Sequence, residues 1–114
     1  MKPGELYFAD LYDAGVRPVL IVSREALNRG GYAVAIPLTS SQFERRSKLP
    51  NCVPFRAGQF GLTTDCVAQC EAIVSVERSQ IDIARGLIGQ VDESTMRDVI
   101  RATGYVIESD CEPT

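Results

Sequence analysis

The run Val19-Leu20-Ile21-Val22 constrains this chain more than any other stretch. Successive apolar residues, most of them β-branched, leave no polar face. They read as a strand buried on both sides. Pro18 stands at its start, where a missing N–H is tolerated. Directly before it comes Arg17, a fixed charge at the mouth of a buried strand. Arg17 is either a solvated edge residue or a phosphate-binding group held by a rigid strand.

The rest of the chain supplies short strands around this one. "ELYFADL" (5–11) reads as a strand punctuated by Pro3 and Gly4, and "YDAG" as a turn. "SREALN" reads as one helical turn capped by Ser23, and "RGGY" breaks it. "AVAIPL" (33–38) is a third strand, followed by a polar, basic loop with a short helical piece. "CVPF" is a short strand and "RAGQFG" a turn. Residues 63–76 are β-branched and read as a long strand bending near Glu71-Ala72. "ERSQID" is a helical turn, and "ARGLIGQV" a small strand ending before Asp92, a helix cap. Beyond it Met96, Val99, Ile100, Thr103, Val106 and Ile107 recur at helical spacing. The expected fold is mainly β with a C-terminal α-helix, α+β overall: a small β-barrel or sandwich with a helical cover. At 114 residues it suits one domain spanning 1–114.

Composition removes several function classes. The net charge of −3 argues against broad electrostatic binding of nucleic acid, although Arg45, Arg46 and Lys48 form a local basic patch. No apolar run approaches the ~20 residues of a membrane helix, and the N-terminus lacks a signal-peptide pattern. The expected location is cytoplasmic, with no membrane partner. The chain contains no histidine, which eliminates Ser-His-Asp, Cys-His and two-histidine mechanisms. It has no P-loop and no GxGxxG motif between strand and helix. Its carboxylates are scattered, so no metal site and no cofactor are expected. Cys52, Cys66, Cys70 and Cys111 form no CxxC pair. On one strand, Cys66 and Cys70 would stand about 13 Å apart, too far for a disulfide. Reduced, partly buried thiols are expected.

Three stretches retain chemical promise: Arg17, the hydroxyl cluster Thr39-Ser40-Ser41, and Glu71 inside an otherwise apolar strand. If the second and third strands are neighbours, these groups can meet in one hollow. Arginine offers a donor fork matched to phosphate, hydroxyls add neutral donors, and a carboxylate can take a proton. Each also has an ordinary structural role: an edge charge, a turn or cap, and a buried carboxylate paired with an arginine.

The stretches "GELYFADL", "RPVLIVSREALNR", "AIPLTSS", "KLP", "DCVAQCEAI" and "VDESTMRDVIRATGYVI" occur in an order and spacing that resemble the MazF/PemK (Kid) toxins of type II toxin–antitoxin systems. The resemblance covers nearly the whole chain. It implies an SH3-like β-barrel of the CcdB/PemK kind with a C-terminal helix, acting as a homodimer. It also implies a sequence-specific, metal-independent endoribonuclease that cuts single-stranded mRNA and is neutralised by a cognate antitoxin. The implied catalytic residues are Arg17, Thr39 and Glu71. The implied substrate-binding residues are Ser40, Ser41, Gln42, Arg45, Arg46, Lys48 and Gln69. Attack by the RNA 2′-hydroxyl would leave a 2′,3′-cyclic phosphate and a 5′-hydroxyl. The chain departs from the family in its short "YDAG" loop, and in Gln69, Ala72 and Val74, where the family carries more basic or amide groups. These departures motivate an alternative: a non-enzymatic toxin or binding module on the same barrel, such as a gyrase-directed toxin of the CcdB kind.

Overall fold

The computed structural model describes residues 1–108. Its strands are β1 (Glu5–Asp10), β2 (Val16–Ile21), β3 (Tyr32–Thr39), β4 (Cys52–Phe55), β5 (Cys66–Gln69), β6 (Val74–Glu77) and β7 (Leu87–Gln90). The helices are α1 (Glu25–Asn28), α2 (Phe43–Arg46) and α3 (Glu93–Val106). All strand pairs are antiparallel, in the order β4-β5-β3-β2-β1-β7, with β6 also paired to β3. β5 pairs with Leu38 and Thr39, whereas β6 pairs with residues 32–35. One long strand thus serves two short ones, and the sheet curls into a half-barrel. This is the α+β, SH3-like architecture expected.

The apolar run in β2 is covered on both faces. Leu20 joins a core with Leu6, Ile36, Leu38, Phe55, Val99 and Ala102. Val19 and Ile21 join a second core with Ala9, Ala33, Ala35, Val76 and Ile81. Helix α3 closes the first core with Val99 and Ala102. Asp92 caps it as expected, its carboxylate accepting the Thr95 N–H at 2.8 Å.

Two expectations are corrected. Residues 63–76 do not form one bent strand. β5 and β6 are separated by a 3-10 turn over Cys70–Ala72, because each reaches a different part of β3. Ser23 does not cap α1, whose N-cap is Arg24 with no side-chain cap bond. Its hydroxyl donates to Asn28 Oδ1 and accepts the Val34 N–H at 2.8 Å, tying α1 to β3. Cys52, Cys66 and Cys70 are buried free thiols, as expected, and Cys111 lies outside the described residues.

Two glycines set a close backbone contact between the 59–61 turn and β7. A Cβ on Gly89 would stand 1.8 Å from the Phe60 carbonyl oxygen, and one on Gly61 would stand 2.1 Å from that of Ile88. Gly61 also has φ +86°, a conformation that favours glycine. Neither obstacle is a flexible side chain, so the two segments would have to separate. Gly89→Ala should therefore destabilise the protein by roughly 2 kcal/mol or more. Gly30→Ala is the control: its Cβ would meet only the Leu27 carbonyl oxygen, at an ordinary 3.5 Å. Thermal melts of both variants test this; an unchanged Gly89→Ala melt would contradict the backbone contact.

Candidate functional site

The β2–β3 ladder pairs Ile21 with Ala35, Leu20 with Ile36 and Val19 with Pro37, and then stops. Beyond it β2 remains on β1, with Arg17 opposite Ala9, while β3 turns to β5, with Thr39 opposite Val67. Carried two places further, the same register sets Arg17 abreast of Thr39. The strands part there, and a cleft of about 620 Å³ opens between their ends. Its walls include apolar Phe8, Pro18, Leu38, Leu62 and Ile88, and polar Arg17, Thr39, Ser40, Ser41, Thr63 and Thr64.

Arg17 is half-buried, and its Nε donates to the Ala14 carbonyl at 2.8 Å. The short "YDAG" turn thus fixes the guanidinium by one edge. Among the described residues no carboxylate forms an ion pair with it. Its Nη groups are therefore not neutralised by an acid among the described residues, and the residue that carries this fork of donors borders the cleft. Thr39 is 8% exposed, and its Oγ1 accepts the Ser41 N–H at 3.2 Å. That bond orients the hydroxyl and leaves its proton to donate. Among the described residues no Asp or Glu lines the cleft. Among the described residues no group of three or more His, Cys, Asp or Glu is placed to hold a metal.

The structure brings Arg17, Thr39, Ser40 and Ser41 together, but not Glu71. β5 runs antiparallel to β3, so moving forward from Val67 leads away from Thr39. Glu71 lies on the 3-10 turn beyond β5, exposed, and outside the cleft. It is neither buried nor paired with an arginine: it accepts from Asn51 Nδ2 at 2.7 Å and Gln69 Nε2 at 3.3 Å. Gln69 accordingly serves Glu71. Gln42 and Arg45 border a neighbouring hollow together with Ser40. Arg46 and Lys48 line neither space; Arg46 has a buried Nε without a hydrogen bond. Burial and then the Glu71 charge push the Cys52 thiol up, and the Arg46 charge opposes this only in part. Sequence reasoning missed Thr63 and Thr64. Their only signal was a hydroxyl pair just after Gly61-Leu62, and the Gly61–Gly89 contact is what carries them to the rim.

A curled antiparallel half-barrel with a C-terminal helix and a cleft where its strands part defines a small α+β class of protein. The chain belongs to the PemK-like, MazF-like toxins of type II toxin–antitoxin systems, whose family pattern it matches over residues 2–107. It is 30% identical over 87 residues to Endoribonuclease EndoA of Bacillus subtilis (strain 168), covering 71% of this chain and 74% of that protein. It is 26% identical to an endoribonuclease from Mycobacterial species solved with its cognate antitoxin, with a TM-score of 0.76 and 94% of each chain covered. A MazE–MazF structure from Deinococcus radiodurans shares the fold at 21% identity, with a TM-score of 0.74 and 95% of each chain covered. Among the described residues no helix is long and apolar enough to cross a membrane.

Cys66 also borders the cleft, but burial, helped by the neighbouring Asp65 charge, pushes its thiol up to about 11. At neutral pH it is a protonated thiol and a poor nucleophile. Alkylation of Cys66 in folded protein should be slow at pH 8 and accelerate as the pH rises toward 11. Peptide mapping after iodoacetamide treatment checks this. Rapid, pH-independent labelling between pH 7 and 8 would contradict it.

Proposed function

We propose that the chain is a sequence-specific, metal-independent endoribonuclease toxin that cuts single-stranded RNA at the Arg17–Thr39 cleft. The observation that carries the reading is a guanidinium and an oriented hydroxyl at the parting of two buried strands, with no carboxylate between them among the described residues. That arrangement accepts a phosphodiester and repels neither of its oxygens. Among the described residues the cleft walls offer no carboxylate to a divalent cation, which supports the metal-independent reading.

RNA brings its own nucleophile. The 2′-oxygen attacks phosphorus, its proton passes to solvent at the open cleft, and a bond from 2′-O to phosphorus forms. The bond from phosphorus to the 5′-oxygen breaks, and that oxygen takes a proton from water. The products are a 2′,3′-cyclic phosphate and a 5′-hydroxyl. Arg17 and Thr39 hold the phosphate and stabilise the charge that grows on it. Arginine stays protonated in proteins, so Arg17 acts as a fixed charge and not as the proton source. Ser40 and Ser41 add donors at the rim. Glu71, held by Asn51 and Gln69, takes no part within this cleft.

The partners in this reading are single-stranded RNA, a cognate antitoxin and a second copy of the chain. The family and the antitoxin-bound relative support the antitoxin. Exposed Ile100, Tyr105 and Ile107 at the end of α3 support burial against another protein surface. The absence of a membrane-crossing helix among the described residues is compatible with action in the cytoplasm.

Cleavage of a long single-stranded RNA by purified protein in EDTA, with end mapping, tests the proposal. Arg17→Ala should lower the rate by about 100-fold or more, as for loss of a charge-stabilising donor. Arg17→Lys should restore only part, because it lacks the planar fork. Glu71→Gln should cut within a few-fold of the parent on this physical picture. Parent-like cleavage by Arg17→Ala, or ends other than a 5′-hydroxyl, would overturn the assignment.

A further inference from the structure

The cleft continues past Ser40 and Thr64. Both residues also border a second, more open hollow of about 640 Å³, whose other walls are Gln42, Phe43, Glu44, Arg45 and Asp65. The two spaces share Ser40 and Thr64 as walls and so adjoin there.

Phe43 is the first residue of α2 and is half-buried. The Arg56 guanidinium sits over its ring, 4.8 Å from the centroid. Arg56 is held by Asp65 at 3.3 Å, and Asp65 in turn accepts the Ala57 N–H at 2.8 Å. Phe43 is among the walls of the hollow and Arg56 is not, so the guanidinium braces the ring without itself bordering the open space. The chain enters α2 through Gln42, a non-glycine residue at φ +54°. Gln42 Oε1 accepts from Arg45 Nε at 2.6 Å, which fixes this corner of the hollow.

The two spaces differ in charge. Among the described residues the cleft has Arg17 and no acid, which suits phosphate. The hollow has Glu44 and Asp65 among its walls, and Asp65 already serves Arg56. Glu44 is exposed and has no ion pair among the described residues. An aromatic platform beside a free carboxylate suits a base better than a phosphate. Unstacked RNA bases settle on aromatic rings, and a carboxylate accepts hydrogen bonds from exocyclic amines.

We propose that this hollow is a base-binding subsite that reads a nucleotide flanking the phosphate held at Arg17. Phe43 is its stacking platform, and Glu44 accepts from the exocyclic amine of adenine, cytosine or guanine, so uracil is disfavoured. The inference rests on the RNA-cleavage reading above. It adds to that reading a specificity-determining position on α2.

Two measurements separate failure of the subsite from failure of the cleavage reading. The first uses oligoribonucleotides with one cleavage site, varied base by base around it. Phe43→Ala should raise KM by roughly tenfold, as for loss of one base–aromatic stack, with kcat changing far less. Phe43→Tyr should restore the parental KM. Uracil at one flanking position should raise KM for the parent, and Glu44→Gln should erase that difference. An unchanged KM in Phe43→Ala, or an unchanged base ranking in Glu44→Gln, would overturn the subsite while leaving cleavage intact. The second needs no cleavage: titration with a single-stranded DNA oligonucleotide carrying 2-aminopurine, whose fluorescence is quenched on stacking. The parent and Phe43→Tyr should quench it and Phe43→Ala should not. No quenching by the parent would refute the platform even if RNA is cut.

Discussion

The shared use of β3 is the constraint on which the molecule depends. One edge of this strand belongs to β2, and the other is divided between β6 and β5. A strand so engaged must be apolar on both faces, and Ala33, Ala35, Ile36 and Leu38 meet that demand. The same division curls the sheet and forces β2 and β3 apart beyond Val19 and Pro37. The cleft is thus a consequence of strand pairing. Arg17 and Thr39 stand near the ends of strands fixed by buried ladders, which gives them defined positions without a loop to order.

Charge is distributed with the same economy. The chain is acidic overall, at −3, yet its proposed ligand is a polyanion. The conflict is resolved locally: among the described residues acids are absent from the cleft walls, and of the two carboxylates in the adjoining hollow Asp65 is paired with Arg56. Exposed ion pairs such as Arg97–Glu93 at 3.9 Å contribute little to stability and nothing to this site. Affinity for RNA then depends on a few directed donors and on base contacts, and less on a broad positive field. Its salt dependence should be correspondingly shallow.

The sequence was legible wherever a local pattern coincided with a tertiary demand. The run Val19–Val22 announced a strand covered on both faces, and Arg17 and Thr39 followed from their places at the ends of apolar segments. Helix α3 declared itself through its period and its Asp92 cap. The place of Glu71 was not legible because the 3-10 turn over residues 70–72 is hidden inside a β-branched stretch. That turn exists only because β5 and β6 need different registers on β3. Ser23 misled for a similar reason, its hydroxyl serving Asn28 and Val34 across the fold. Thr63, Thr64 and the Phe43 hollow were not legible. They depend on Gly61 meeting β7 and on Arg56 reaching Phe43, contacts between segments with no shared local pattern.

The most direct measurement is a crystal structure of the protein with a short RNA made uncleavable by a 2′-deoxy substitution at the cut site. A phosphate between the Arg17 Nη groups and the Thr39 hydroxyl, with the Ala14 carbonyl still holding Arg17 Nε, is the expected result. A phosphate bound instead beside Glu71 or Lys48, with the Arg17–Thr39 cleft empty, would contradict the central claim.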